Sequence, residues 1–197
     1  MRTLIVIAHA DPDSLTHAVA RAIGERLRGE GVETEFADLA AEGFDPRFGP
    51  ADLAVHRRQV APPPDVLAEQ ARVDRADQLV LVFPIYWWSM PALLKGWIDR
   101  VFSQGWAFED KDGKLIKKLG RLRVQLVALG GADTGLLERH GYDTAIQTQL
   151  AHGIFDYCGA KNARTALLME SDTGRAEEAL ARADALAQEL AAPPQAA

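Results

Sequence analysis

The sequence predicts an α/β domain built on a five-stranded parallel sheet with helices on both faces. Three observations carry this. Short apolar runs such as TLIVIA (3–8) and QLVLVF (78–83) lack the polar alternation of a half-exposed strand, as expected of strands covered on both sides. Segments with helical spacing of apolar residues alternate with those runs, which implies right-handed crossovers and parallel pairing. Five strands without a sixth favour the flavodoxin-like order 2-1-3-4-5 over the six-strand Rossmann order.

Along the chain, TLIVIA is the first strand and HADPDS the turn after it. Helical signals run from Leu15 to about Glu30 and stop at Gly31. VETEFADL alternates and reads as the second strand. The connection Ala40 to Pro64 is too long for an ordinary linker, so a short helix is expected inside it. Asp65 to Arg75 reads as a helix and Gln78 to Phe83 as the third strand. Leu93, Leu94, Trp97, Ile98, Val101 and Phe102 form one apolar stripe at helical spacing, with Ser89 as its expected N-cap and Pro91 in the first turn. RLRVQLVAL is the fourth strand, Asp143 to Tyr157 a helix, ARTALLME the fifth strand, and Arg175 to Leu190 the last helix. A single domain over 1–192 and a frayed tail over 193–197 follow.

The totals restrict function. The chain has 197 residues, 48% of them hydrophobic, and a net charge of -6. An acidic balance gives no electrostatic reason to expect nucleic acid or an anionic membrane. One cysteine, Cys158, excludes an intrachain disulfide framework and argues against a thiolate metal cluster; it reads as a buried, inert thiol and no metal is expected. No apolar run approaches the roughly 20 residues that span a bilayer, and no signal segment opens the chain, so a cytoplasmic protein is expected.

In sheets of this order, ligands bind beyond the carboxyl ends of the strands, where strand order reverses. Three loops meet there. HADPDSLTH enters a helix near Ser14, whose free amides and dipole suit an anion; Ser14 and Thr16 add hydroxyls and His9 an imidazole. PIYWWSMP offers flat apolar surface beside backbone amides, which suits an aromatic heterocycle with polar edges. In GGADTGLLERHGY, Gly130 and Gly131 let backbone approach a planar ligand, and His140 can move a proton near neutral pH. Helix capping, core packing and a plain strand-ending turn explain each loop taken singly. Joint placement is what points to a flavin nucleotide. Neither G-x-G-x-x-G nor a P-loop is present.

The chain resembles the NAD(P)H:quinone oxidoreductases, the DT-diaphorase-like flavoproteins, whose bacterial relatives include ancillary proteins of potassium efflux. The resemblance runs from about Thr3 to Met169 and rests on AHADPDSLT, FDP (44–46), DVLAEQ (65–70), PIYWWSMPALLKGWIDRVF with GWAF, the Gly130-Gly131 and His140-Gly141 pairs, and GIFDYCGA. It implies a homodimer with noncovalent FAD or FMN, NAD(P)H as co-substrate, a quinone-like acceptor, and two-electron ping-pong hydride transfer. By motif, His9, Ser14, Leu15 and Thr16 would hold the phosphate side of the flavin. Pro84, Ile85, Tyr86, Trp87 and Trp88 would bed the ring, and Leu129, Gly130 and Gly131 would touch its other edge. Trp87 and Phe108 would line the substrate pocket, Phe108 from the partner subunit, with His140 catalytic. The long 40–64 connection offers surface for an adenosine, which favours FAD.

Three positions depart from the family pattern: Thr16 for Asn, Tyr86 for Gln, and no tyrosine between Gly131 and His140, although Tyr142 follows. A flavin-binding ancillary subunit of a potassium efflux transporter is the alternative reading. A phospho-receiver of the same topology is disfavoured, because Pro84 stands where the phosphoacceptor aspartate would end strand three.

Overall fold

The computed structural model describes residues 1–171 and 176–192. The expected tail at 193–197 and Arg175, where the last helix is expected to begin, lie outside the described residues. The first half contains β1 (Arg2–Ile7), α1 (Leu15–Gly29), β2 (Glu33–Asp38), α2 (Pro50–His56), α3 (Pro64–Arg75), β3 (Gln78–Pro84) and α4 (Ala92–Val101). The second contains a hairpin of β4 (Phe108–Lys111) and β5 (Lys114–Lys117), then β6 (Arg123–Leu129), α5 (Thr134–His140), α6 (Tyr142–Ile146), β7 (Lys161–Leu168) and α7 (Ala176–Ala191). A π-helical segment, Gln147–Asp156, extends α6.

The main sheet is parallel and five-stranded in the order β2-β1-β3-β6-β7, which is the expected 2-1-3-4-5 with the hairpin inserted before the fourth strand. All seven residues of β3 are buried. Its side chains alternate between two cores. Leu79, Leu81 and Phe83 pack with Trp97 of α4 and Phe155 on one face; Val80 and Val82 pack with Ile23 of α1 and Leu186 of α7 on the other. Each such side chain contributes about 1.5–3 kcal/mol by leaving water. Trp97 is a core residue, as its place in the stripe predicts; its indole N–H donates to Glu69 Oε2 at 2.8 Å.

Some local expectations change. Pro91, not Ser89, is the N-cap of α4, because Ser89 is held in a bridge to Tyr86. The helix expected at 143–157 is divided among α6 and its π-helical extension, and α5 precedes it; Gly141, at φ 69°, separates α5 from α6. The hairpin β4–β5 is unanticipated, although its turn carries Asp112 and Gly113 at φ 53° and 72°, the residues that such a turn favours.

The 40–64 connection contains the anticipated short helix, α2, and is tied down by α4. Arg100 donates from Nε to Asp52 Oδ1 at 3.0 Å and from Nη1 to Asp65 Oδ2 at 2.7 Å and the Asp45 carbonyl at 2.8 Å. The hydrogen bond from Arg100 holds the Asp65 carboxyl below its ordinary value. One turn earlier, Gly96 admits the backbone of Pro46 so closely that a Cβ would lie 2.1 Å from the Pro46 carbonyl oxygen. Cys158 is buried, and burial pushes its thiol up to about 11.

Gly96→Ala is expected to cost about 1–3 kcal/mol in urea unfolding, because backbone rather than a flexible side chain must yield. Gly29→Ala, with nothing within 4 Å of the added Cβ, is the control and should be neutral or stabilising by up to about 1 kcal/mol.

Candidate ligand site at the carboxyl edge of the sheet

Parallel register brings β1, β3 and β6 to nearly the same height. Ala8 N–H donates to the Val82 carbonyl at 3.1 Å, Pro84 pairs with Leu129, and Ile85 N–H donates to the Leu129 carbonyl at 2.6 Å. The loops that leave these strands enclose two adjoining cavities.

The larger cavity, about 370 Å³, takes His9, Ser14, Leu15 and Thr16 from the first loop, Pro84, Ile85 and Tyr86 from the second, and Leu129, Gly130 and Gly131 from the third. The smaller, about 180 Å³, adds Trp87 and Trp88 and shares Ile85, Gly130 and Gly131 with the larger. The structure therefore brings together every residue expected to contact the cofactor. It also adds Ser171 to the larger cavity and Ala132 and Met169 to the smaller. Met169 and Ser171 come from the loop after β7. That loop could have been included from topology alone, since the strand beside β6 opens at the same edge.

At the phosphate-suited end, Ser14 is the N-cap of α1 and its Oγ accepts from His17 N–H at 3.4 Å. The first-turn amides of Leu15 and Thr16 have no carbonyl four residues back to bind, which leaves an anion-seeking end. His9 Nδ1 lies 3.0 Å from the Asp11 amide nitrogen and 3.2 Å from the Asp11 carbonyl oxygen, which leaves Nε2 as the ring's second polar atom. The sequence reading missed His17, a buried histidine whose Nδ1 lies 2.9 Å from Ser14 Oγ.

At the aromatic end, Tyr86 and Ser89 exchange two backbone hydrogen bonds, Tyr86 N–H to Ser89 O at 3.0 Å and Ser89 N–H to Tyr86 O at 3.1 Å. The two residues between them, Trp87 and Trp88, both lie in the left-handed region, at φ 50° and 62°. This is a two-residue turn that Asn-Gly would form without strain. In tryptophans it costs about 1–2 kcal/mol per residue. The strain is maintained by the bracing on either side: β3 is buried before the turn, and Met90 is buried after it. Trp88 stacks on Tyr142, with ring centroids 4.2 Å apart and planes 9° apart. Trp87 has no such support and is 93% exposed.

Two expected residues lie elsewhere. His140, at the exposed end of α5, lines neither cavity; Tyr142 separates it from Trp88, stacked on His140 at 5.4 Å and 22°. Phe108, on β4, packs edge-on against Tyr157 and borders a separate apolar cavity of about 540 Å³. Gly130 is also explained differently. A Cβ there would lie 2.7 Å from Met169 Cε, so its missing side chain makes room for a methionine.

The donor set fits a flavin nucleotide. Helix-end amides, two hydroxyls and an imidazole suit its phosphate, and Tyr86 and Trp87 give flat apolar surface. Among the described residues the amides of Trp87, Trp88, Gly131 and Ala132 have no backbone acceptor, so they remain for the polar edge of a heterocycle. The amides of Ile85, Tyr86 and Gly130 are already engaged. Among the described residues no group of three or more His, Cys, Asp or Glu is placed to hold a metal, and no helix is long and apolar enough to cross a membrane.

Comparison with known proteins agrees with this architecture. A family model described as "Flavodoxin-like fold" matches residues 1–191. An uncharacterized NAD(P)H oxidoreductase of Haemophilus influenzae is 31% identical over 82% of this chain and 80% of its own length. The human ribosyldihydronicotinamide dehydrogenase [quinone] is 31% identical over 81% of this chain and 78% of its own. Among solved structures, an NAD(P)H:quinone oxidoreductase from Methanothermobacter marburgensis superimposes with a TM-score of 0.90 at 26% identity, covering 96% of this chain and 98% of that one.

If Trp87 is held in a strained, unsupported position, folding should not miss it. Trp87→Asn is expected to leave stability unchanged or raise it by up to about 1 kcal/mol in urea unfolding, since Asn tolerates the left-handed region. A clear loss of stability would contradict this geometry.

Proposed function

The chain belongs to the flavodoxin-like family that includes the NAD(P)H:quinone oxidoreductases, and we propose that it is a flavin-dependent NAD(P)H oxidoreductase acting on quinones or related acceptors. The observation that supports this most is the convergence of an anion-seeking helix start and a strained, exposed aromatic turn on two adjoining cavities. A bound flavin would take a hydride from NAD(P)H and return two electrons to a quinone, which gains them with two protons and leaves as hydroquinone. The protein residues bind, orient and shield. His9, Ser14, Leu15 and Thr16 hold the phosphate; Pro84, Ile85, Tyr86, Trp87 and Trp88 bed the ring; Leu129, Gly130 and Gly131 border its far edge.

In this reading Trp87 projects towards the space where nicotinamide and acceptor stack in turn. His140 contributes a proton to the acceptor, and Tyr142, stacked between His140 and Trp88, joins it to the aromatic turn. Phe108 stands outside both cavities of its own chain, which supports a homodimer in which it closes the site of the second copy. FAD is favoured over FMN by the surface of the 40–64 connection, where Phe48 and Leu53 are exposed. The working form is then a cytoplasmic homodimer.

The test is reconstitution. The protein is expected to bind FAD or FMN with a flavin absorption spectrum and to oxidise NAD(P)H with a benzoquinone, giving parallel double-reciprocal lines. Failure to bind either flavin would refute the proposal, and intersecting lines would refute the ping-pong sequence. With His140→Ala, stopped-flow should locate the loss in the acceptor half-reaction; equal loss in both halves would assign His140 to flavin positioning.

A further inference from the structure

We propose that buried His17 is a positioning residue that must carry a second proton before Ser14 can donate to a flavin phosphate, so that binding the phosphate takes up a proton from solution. This rests on the flavin reading of the larger cavity.

The partners of each atom in the relay fix where its hydrogens lie. His17 is 4% exposed and sits in a relay. Its Nε2 lies 2.9 Å from Asp38 Oδ2, and its Nδ1 lies 2.9 Å from Ser14 Oγ. The other Asp38 oxygen accepts from Ala41 N–H at 3.1 Å. An ionised carboxylate only accepts, so the hydrogen of a neutral His17 is on Nε2. Its Nδ1 is then bare and takes the Ser14 hydroxyl hydrogen. In that state Ser14, which also accepts from His17 N–H, offers the cavity only lone pairs, and these repel a phosphate oxygen. A second proton on His17 reverses the bond. Nδ1–H donates to Oγ, and the Ser14 O–H is free to turn into the cavity and donate to the anion.

His9 is wired in the opposite sense. His9 Nδ1 lies 3.0 Å from the Asp11 amide nitrogen and 3.2 Å from the Asp11 carbonyl oxygen; with its hydrogen on Nε2 the ring accepts from that amide and can donate without a further proton. The titratable groups facing the His17 ring are Asp38, from β2, and His9, from the loop after β1, edge-on at 6.2 Å. Asp38 balances a charged His17. The incoming phosphate supplies a second anion, one hydroxyl away from His17.

The experiment is isothermal calorimetry of the apoprotein with FAD and with riboflavin, in buffers of different ionisation enthalpy, at several pH values. FAD is the main probe because its pyrophosphate stays fully ionised across the range. The expected result is uptake approaching one proton per FAD at the alkaline end, with affinity falling about tenfold per pH unit there. Riboflavin should show no uptake and a flat profile. His17→Gln should abolish the uptake and flatten the FAD profile, and so should Ser14→Ala, which leaves His17 and Asp38 in place. His9→Gln should weaken FAD binding yet keep the uptake. If only FMN binds, it replaces FAD, and the His17→Gln variant separates protonation of its own phosphate from that of the protein. FAD binding without uptake, or uptake that survives in His17→Gln, overturns the proposal. Binding of none of the three flavins overturns the flavin reading itself.

Discussion

The central strand β3 is buried along its whole length between β1 and β6, and the site depends on that burial. Both faces of β3 are filled by apolar side chains, so its register cannot slip by one residue without exchanging the two cores. The ladder also runs past the ends of the strands: Ala8 N–H donates to Val82 O, Ile85 N–H to Leu129 O and Gly130 N–H to Leu168 O. Neighbouring strand ends are thus fixed relative to one another at one edge. Three of the loops leaving that edge have little regular structure of their own, yet they start from positions set by the core.

That rigidity makes the strain at Trp87 and Trp88 sustainable. Two bulky residues in the left-handed region would relax if the chain on either side could move. Here Phe83 and Pro84 are buried before the turn, Met90 and Pro91 after it, and Trp88 is stacked on Tyr142. A comparable restraint acts on α4, where Arg100 and Gly96 hold the 40–64 connection against the helix that follows the turn. The turn and the helix behind it are therefore parts of one braced unit, with Trp87 at its exposed tip.

Much of this was legible in the sequence because burial on both faces leaves a plain signature. TLIVIA and QLVLVF locate β1 and β3, and strand–helix alternation gives the sheet order and hence the three loops. The residues of those loops line the two cavities because topology, not local propensity, brings them together. Less legible were features decided by a single contact. No propensity assigns Trp-Trp to a turn that Asn-Gly favours, whereas Asp112-Gly113 marks the β4–β5 hairpin by residue type alone. Asp38 meets the Ser14–His17 pair of the α1 cap only once β2 lies beside β1, and Gly130 is explained by Met169, which follows β7. His140 and Phe108 are placed by α5 and by the hairpin, which a reading of the three loops does not contain.

The proposed flavin would lie along the carboxyl edge of β1, β3 and β6. Hydrogen–deuterium exchange of the apoprotein with and without FAD tests this placement most directly. Slowed exchange is predicted at the amides of Leu15 and Thr16, of Trp87 and Trp88, and of Gly131 and Ala132 together. Unchanged exchange at all three loops despite bound flavin would place the flavin elsewhere on the molecule.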